Sequence, residues 1–100
     1  MKIQTAFIHI DHSDSLEQYV VEHSEKLDKY FKTGLEYQWT FSKKDHKKEI
    51  KCHVVGDRLN HPFKVYCDNW QTGSQKVINK INTYLSKEHR KRKDHIHKKS

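Results

Sequence analysis

The sequence predicts an α+β two-layer domain in the order β-α-β-β-β-α, with two helices on one face of a four-stranded sheet. Three observations predict it. Residues 14–31 and 70–93 each carry apolar residues at helical spacing. Between them, residues 35–68 hold three short strand-like runs, the first with clean period-two alternation. A further strand-like run, MKIQTAFIHI, precedes the first helix. Two amphipathic helices need an apolar face to cover, and one sheet supplies it.

Met1 to Ile10 reads as a strand through Ile3, Phe7, Ile8 and Ile10, with an imperfect alternation that leaves the inward face open. Asp11-His12 is a turn. Ser13 is a good N-cap, and Asp14 and Glu17 complement the positive end of the helix dipole. The first helix is expected over Asp14 to Phe31, with Leu16, Tyr19, Val20, Leu27, Tyr30 and Phe31 on one stripe and His23 in register. Glu22–Lys26 and Glu25–Lys29 are spaced as acid-to-base pairs worth about 0.2–0.5 kcal/mol each. Gly34 supplies a left-handed stop.

Leu35, Tyr37, Trp39 and Phe41 point inward from the second strand. Lys43 to Lys48 is a basic turn, and Lys48 to Val55 is the third strand, with Ile50, Cys52 and Val54 on one face. Gly56 to Pro62 reads as a loop and Phe63 to Asp68 as the fourth strand. Pairing around Asp45-His46 sets Phe41 opposite Ile50, Trp39 opposite Cys52 and Tyr37 opposite Val54. Pairing around Leu59-Asn60 sets Cys52 opposite Cys67 and Val54 opposite Val65. In both hairpins inward residues meet inward residues, which a one-residue slip would reverse.

Asn69 caps the second helix, whose apolar stripe is Val77, Ile78, Ile81 and Leu85. Thr72 and Gly73 are poor first-turn residues, the glycine by up to about 1 kcal/mol. A helix from Trp70 to Lys93 measures roughly 36 Å at 1.5 Å per residue. Strands this short cannot support all of it, so its last two turns are expected to project. Residues 1–93 read as one domain and 94–100 as a basic tail.

Charge is distributed unevenly. The chain carries a net +7, and the fifteen residues from Ser86 hold seven Lys/Arg against two acids. Lys87, Arg90, Lys91, Arg92 and Lys93 spread around the helix, a pattern suited to neutralising phosphates. Lys43, Lys44, Lys47 and Lys48 at the turn, with Lys51 on the outer strand face, form a second basic cluster, and Lys64 and Tyr66 offer a cation and a stacking surface on that face. Nucleic acid is the first partner class. A membrane surface fits poorly, because Ile96 is the tail's one apolar anchor.

Other chemistries find little support. Neither a signal peptide nor a membrane-spanning run is present, so the cytoplasm is the expected location. Cys52 and Cys67 are expected to be reduced core residues, adjacent across two strands. A zinc site from these cysteines with His53 and His61 is rejected, because alternation puts His53 on the opposite face from Cys52. His95 and His97 are not expected to serve a metal. There is no nucleophile elbow, P-loop, metalloprotease or dinucleotide motif, and no cofactor or catalytic residue is expected. Asp11 and His12 are the best residues an enzyme reading has.

The opening MKIQTAFIHIDHSDSLEQYVVEHSEKLDKYF and the closing INKINTYLSKEHRKRKD, with the element order, resemble the ribosome hibernation promoting factor / ribosome-associated inhibitor (protein Y) family. The most telling pieces are Ser13-Asp14-Ser15-Leu16 with Lys26-Leu27 and Tyr30-Phe31, and Ile78-x-Lys80-Ile81-x-x-x-Leu85 followed by Lys87 and Lys91. The resemblance implies a fold similar to double-stranded RNA-binding domains. It also implies binding to the small ribosomal subunit in the mRNA and A- and P-site tRNA channel, silencing translation in starved or stationary cells. By matched position, Lys26, Lys80, Lys87 and Lys91 would face ribosomal RNA; Arg90 and Lys93 are added from charge alone. Asn69 to Gly73 departs from the family's Asp-Met-Tyr-Ala-Ala-type segment. The chain looks like the short form, without a dimerising extension or an acidic tail. The rival reading is a general double-stranded RNA-binding module without ribosome preference. A pH-tuned binder using His89, His95 and His97 is a further reading.

Overall fold

Two helices bury one face of a mixed sheet in a computed structural model that describes residues 2–31 and 34–99, with side chains through residue 92. The elements are β1 (Lys2–Ile8), α1 (Asp14–Leu27), a short 3₁₀ turn (Asp28–Tyr30), β2 (Glu36–Lys44), β3 (Lys47–Gly56), β4 (Leu59–Cys67) and α2 (Trp70–Lys99). The sheet order is β1-β2-β3-β4; β1 runs parallel to β2, and the other pairs are antiparallel. The architecture is the expected β-α-β-β-β-α.

The inner face carries Tyr37, Trp39 and Phe41 of β2 and Ile50, Cys52 and Val54 of β3, all essentially inaccessible to solvent. Leu16, Val20 and Leu27 of α1 and Val77, Ile78, Ile81 and Leu85 of α2 close over it. Ser13 caps α1 by accepting the Leu16 N–H (3.3 Å), and Asn69 caps α2 by accepting the Thr72 N–H (3.0 Å). Gly34 has φ +75°, but it lies in the loop before β2 and does not end the helix as expected, since α1 stops at Leu27. One buried residue breaks the apolar stripe of α1: Ser24, whose hydroxyl accepts the Trp39 indole N–H at 2.9 Å. That bond satisfies the single donor of the largest core side chain.

The first helix ends earlier than expected. Its α-helical part stops at Leu27, the 3₁₀ turn follows, and Phe31 is already extended. Asp28 accounts for the change, because its carboxylate accepts the Leu35 N–H (2.9 Å) and the Tyr37 hydroxyl (3.3 Å) and so ties the exit of the helix to the start of β2. The spacings Glu22–Lys26 and Glu25–Lys29 close no ion pair; Glu22 accepts from Gln18 (3.1 Å) and Lys29 lies over the Tyr30 ring.

The β2–β3 register is the expected one, with Phe41 opposite Ile50, Trp39 opposite Cys52 and Tyr37 opposite Val54. The β3–β4 register differs. Its turn is Asp57-Arg58, not Leu59-Asn60, so Cys52 faces Phe63, Val54 faces His61 and Lys48 faces Cys67. The two cysteines are therefore not neighbours across the strands. Asp57 and Arg58 both take positive φ (47° and 70°), the geometry of a two-residue hairpin turn, and this frees buried Leu59 to start the strand. The shift in pairing is an even number of residues, so the inward face is unchanged.

Gly73 has a packing role. A Cβ there would stand 2.8 Å from both the Cys67 Cβ and the Ile50 Cδ1, so the first turn of α2 sits on the sheet at a distance only glycine permits. Gly73→Ala sets about 1 kcal/mol of helix propensity gained against about 1–3 kcal/mol of overpacking. A net loss is expected, read as a lower Tm; a higher Tm would show that the contact relaxes freely.

Candidate nucleic-acid interface

The second helix presents two different flanks. On the flank facing α1, Gln75 accepts the Tyr19 hydroxyl, Asn82 accepts the Tyr30 hydroxyl (3.1 Å) and His89 packs on the Tyr30 and Phe31 rings. On the opposite flank, Lys80, Lys87 and Lys91 recur at helical spacing along the side nearest β4, and all three are exposed. Lys80 and Lys87 line a groove of about 600 Å³ between α2 and β4, with Lys64 on the strand side and Asn79 and Thr83 on the helix. Its floor is aromatic. His61 and Tyr84 stack at 4.7 Å between ring centroids and 21° between planes, and Phe63 meets both edge-on. Burial and the nearby Glu88 carboxylate push the Tyr84 hydroxyl above its ordinary pKa, against the opposing Arg92 charge, so it remains a protonated donor.

The remaining cations divide between free and tied. Arg90 is exposed and Lys80 and Lys87 close no ion pair with a described residue, while Lys91 lies 3.6 Å from Glu88 with its side chain 74% exposed. Lys26 is exposed in the last turn of α1, away from the groove, on a helix that also carries Glu17, Glu22 and Glu25. The side chains of Lys93, His95 and His97 lie outside those described. Arg92 is spoken for: its guanidinium bonds the Asp57 carboxylate (2.7 Å) and carbonyl oxygen (2.5 Å) and covers the Phe31 ring at 5.0 Å. The expected helix ending at Lys93 with two projecting turns therefore needs correcting: α2 is held against the β3–β4 turn at Arg92, and it continues as helix to Lys99 rather than giving way to a tail after residue 93.

At the β2–β3 turn Lys43, Lys44 and Lys47 are exposed. Lys48 is not available in the same way, because its ammonium donates to the Asp68 carbonyl oxygen (2.8 Å) and lies over Trp70. On the outer sheet face Lys51 stands opposite Lys64, and Lys64 covers the exposed Tyr66 ring at 5.6 Å. Glu49 sits among them, its side chain only 10% exposed and 3.3 Å from the Lys51 ammonium. His12 bonds Asp14 (2.9 Å) and Glu17 (3.3 Å) at the start of α1, a turn role that leaves Asp11 aside. His53, half-exposed on the outer face, bonds Asn60, while Cys52 is buried on the inner one. Burial pushes the Cys52 thiol well above its ordinary pKa and the Cys67 thiol in the same direction.

From the sequence, His61, Phe63 and Tyr84 do not read as one surface; His61 enters only through the rejected zinc site. Tyr84 shares the spacing of Lys80, Lys87 and Lys91, a signal that helical periodicity carries. His61 reaches it only through the true β3–β4 register. No helix is long and apolar enough to cross a membrane among the described residues.

Fold and surface together define a small two-layer α+β domain with one cationic flank. The chain belongs to the Sigma 54 modulation protein / S30EA ribosomal protein family, whose sequence model matches residues 3–93, and this is the hibernation-factor family that the sequence resembles. It is similar to the crystal structure of the Thermus thermophilus Protein Y N-terminal domain, at 15% identity and a TM-score of 0.79 over 87% of this chain and 98% of that one. It is also similar to a ribosomal subunit interface protein from Coxiella burnetii, at 21% identity and a TM-score of 0.68 over 87% and 96%. At these identities the likeness shows the fold. No curated protein matches the chain by sequence.

Glu49 makes a pH prediction. Burial favours its neutral form, but the Tyr66 hydroxyl and the Lys51 and Lys64 charges outweigh this and hold the carboxyl below its ordinary range. A depressed folded-state pKa adds stability that is present above the unfolded value, near 4.3, and lost as pH falls through the folded one. The stability gap between wild type and Glu49→Gln is therefore expected to be flat near neutrality and to close in acid. Urea unfolding at several pH values measures it; a gap that widens in acid would contradict the sign.

Proposed function

We propose that this protein is a ribosome hibernation factor that binds ribosomal RNA of the small subunit in the mRNA and A- and P-site tRNA channel and silences translation in resting cells. The observation that carries the proposal is the cationic flank of α2: Lys80, Lys87 and Lys91 are exposed at helical spacing on the side that borders β4. A body of this kind occupies a groove walled by phosphates by shape and backbone contact, without reading base edges. Family membership supports the ribosome as the partner. In this reading residues 1–93 are the ribosome-binding domain, 94–100 a basic extension, and the protein acts in the cytoplasm by occlusion rather than by catalysis. Lys80, Lys87 and Lys91 carry most of the affinity, with Arg90 and Lys93 adding charge and Lys26 a separate contact from α1.

Counterion release makes such binding steeply salt-dependent. With about four phosphates neutralised, affinity for purified small subunits is expected to fall about 100-fold between about 50 and about 200 mM salt. Lys80→Glu, Lys87→Glu and Lys91→Glu together should lower the salt slope by about 3 and abolish co-sedimentation with ribosomes, with Tm nearly unchanged because all three side chains are exposed. A triple variant that pellets like wild type sinks the assignment. Competition by generic RNA duplex as effective as by small subunits would favour a general double-stranded RNA-binding module instead.

A further inference from the structure

We propose that the groove between α2 and β4 is a base-binding subsite for single-stranded RNA: an unpaired base extends the His61–Tyr84 stack, and Lys80 and Lys87 hold the phosphates on either side of it. The inference rests on the reading of this flank as an RNA interface and adds a component that charge alone does not supply.

The geometry points to a base in three ways. First, the two rings are already nearly coplanar, 21° apart, and His61 is exposed on the rim while Tyr84 is half-buried beneath it. A column with one end anchored and the other in solvent presents a flat π surface, which suits any of the four bases. Second, Phe63 meets both rings edge-on, at 4.7 and 5.6 Å, and braces their orientation, so little order is lost on binding. Third, the cations flank the stack. Lys80 and Lys87 are seven residues apart, about 10 Å along the helix axis, with Tyr84 between them. At about 3.4 Å of axial rise per nucleotide, that span is about three nucleotide steps of a stacked strand. A duplex would keep its bases paired and out of reach of the rings, so the groove selects single strands, loops and bulges.

The test is fluorescence anisotropy with an end-labelled adenylate hexamer and an abasic hexamer with the same number of phosphates, at one salt concentration. The adenylate strand is expected to bind about 5- to 100-fold more tightly, the increment of one stacked base. His61→Ala with Tyr84→Leu should bring the adenylate affinity down to that of the abasic strand and leave the abasic affinity unchanged. Lys80→Gln with Lys87→Gln should weaken both strands alike. Because Tyr84 also packs on Phe63, His61→Ala alone is measured as well; its exposed side chain can be removed without disturbing the core, and it should cut the ratio at least severalfold. Equal binding of the two hexamers by wild type, an unchanged ratio in the His61 and Tyr84 variants, or a glutamate-rich peptide that competes as well as the adenylate strand overturns the proposal. Ribosome co-sedimentation is read separately. Its failure in wild type would remove the hibernation reading while leaving the hexamer comparison intact.

Discussion

The packing of the apolar face of α2 on the inner surface of β3 and β4 decides where the cations of that helix stand. Val77, Ile78, Ile81 and Leu85 rotate the helix so that its other side chains fall on fixed flanks. Since 3.6 residues make a turn, Lys80, Lys87 and Lys91 then have no choice but to border β4, and Gln75, Asn82 and His89 to meet α1. Gly73 brings the first turn onto the sheet, and Arg92 holds a point about five turns later against Asp57 and Phe31. A helix fastened at both points presents the charges between them on a rigid edge rather than on a loose arm.

That edge is assembled against electrostatic preference. Lys43 faces Lys48, Lys44 faces Lys47 and Lys51 faces Lys64 across paired strands. Like charges directly opposite one another are destabilising by a few tenths of a kcal/mol up to about 1 kcal/mol. Some of the repulsion is relieved internally: Glu49 neutralises part of the outer face, and Lys48 is drawn to the Asp68 carbonyl. Lys80 and Lys87 close no ion pair with a described residue.

Local chemistry made much of this legible before any coordinates. The alternation of Leu35 to Phe41 and Ile50 to Val54, joined at Asp45-His46, allowed one register only, and the β2–β3 pairing is that register. The caps Ser13 and Asn69 and the apolar stripe of α2 were equally plain, because each depends on neighbours within one turn. Other features depended on distant partners. Pro62 made residues 56–62 look like a loop, yet β4 is an edge strand, where proline is tolerated, and the turn moved to Asp57-Arg58. Ser24 carried no signal of burial, because the Trp39 indole N–H that it accepts comes from a residue 15 positions away. Gly73 looked like a weak start to a helix until its contact with Cys67 appeared.

The sequence by itself determined the element order, the inward faces and the presence of a basic helix, because periodicity and capping are short-range and each face is specified by a period of two or 3.6 residues. Tertiary structure decided which of those basic residues are free. Arg92 and Lys48 are consumed by contacts with residues 35 and 20 positions away, whereas Lys80 and Lys87 border an aromatic groove. Two cations on one helix look alike in a string of letters. Their availability depends on what the rest of the chain places within about 4 Å of each, and only the fold sets that distance.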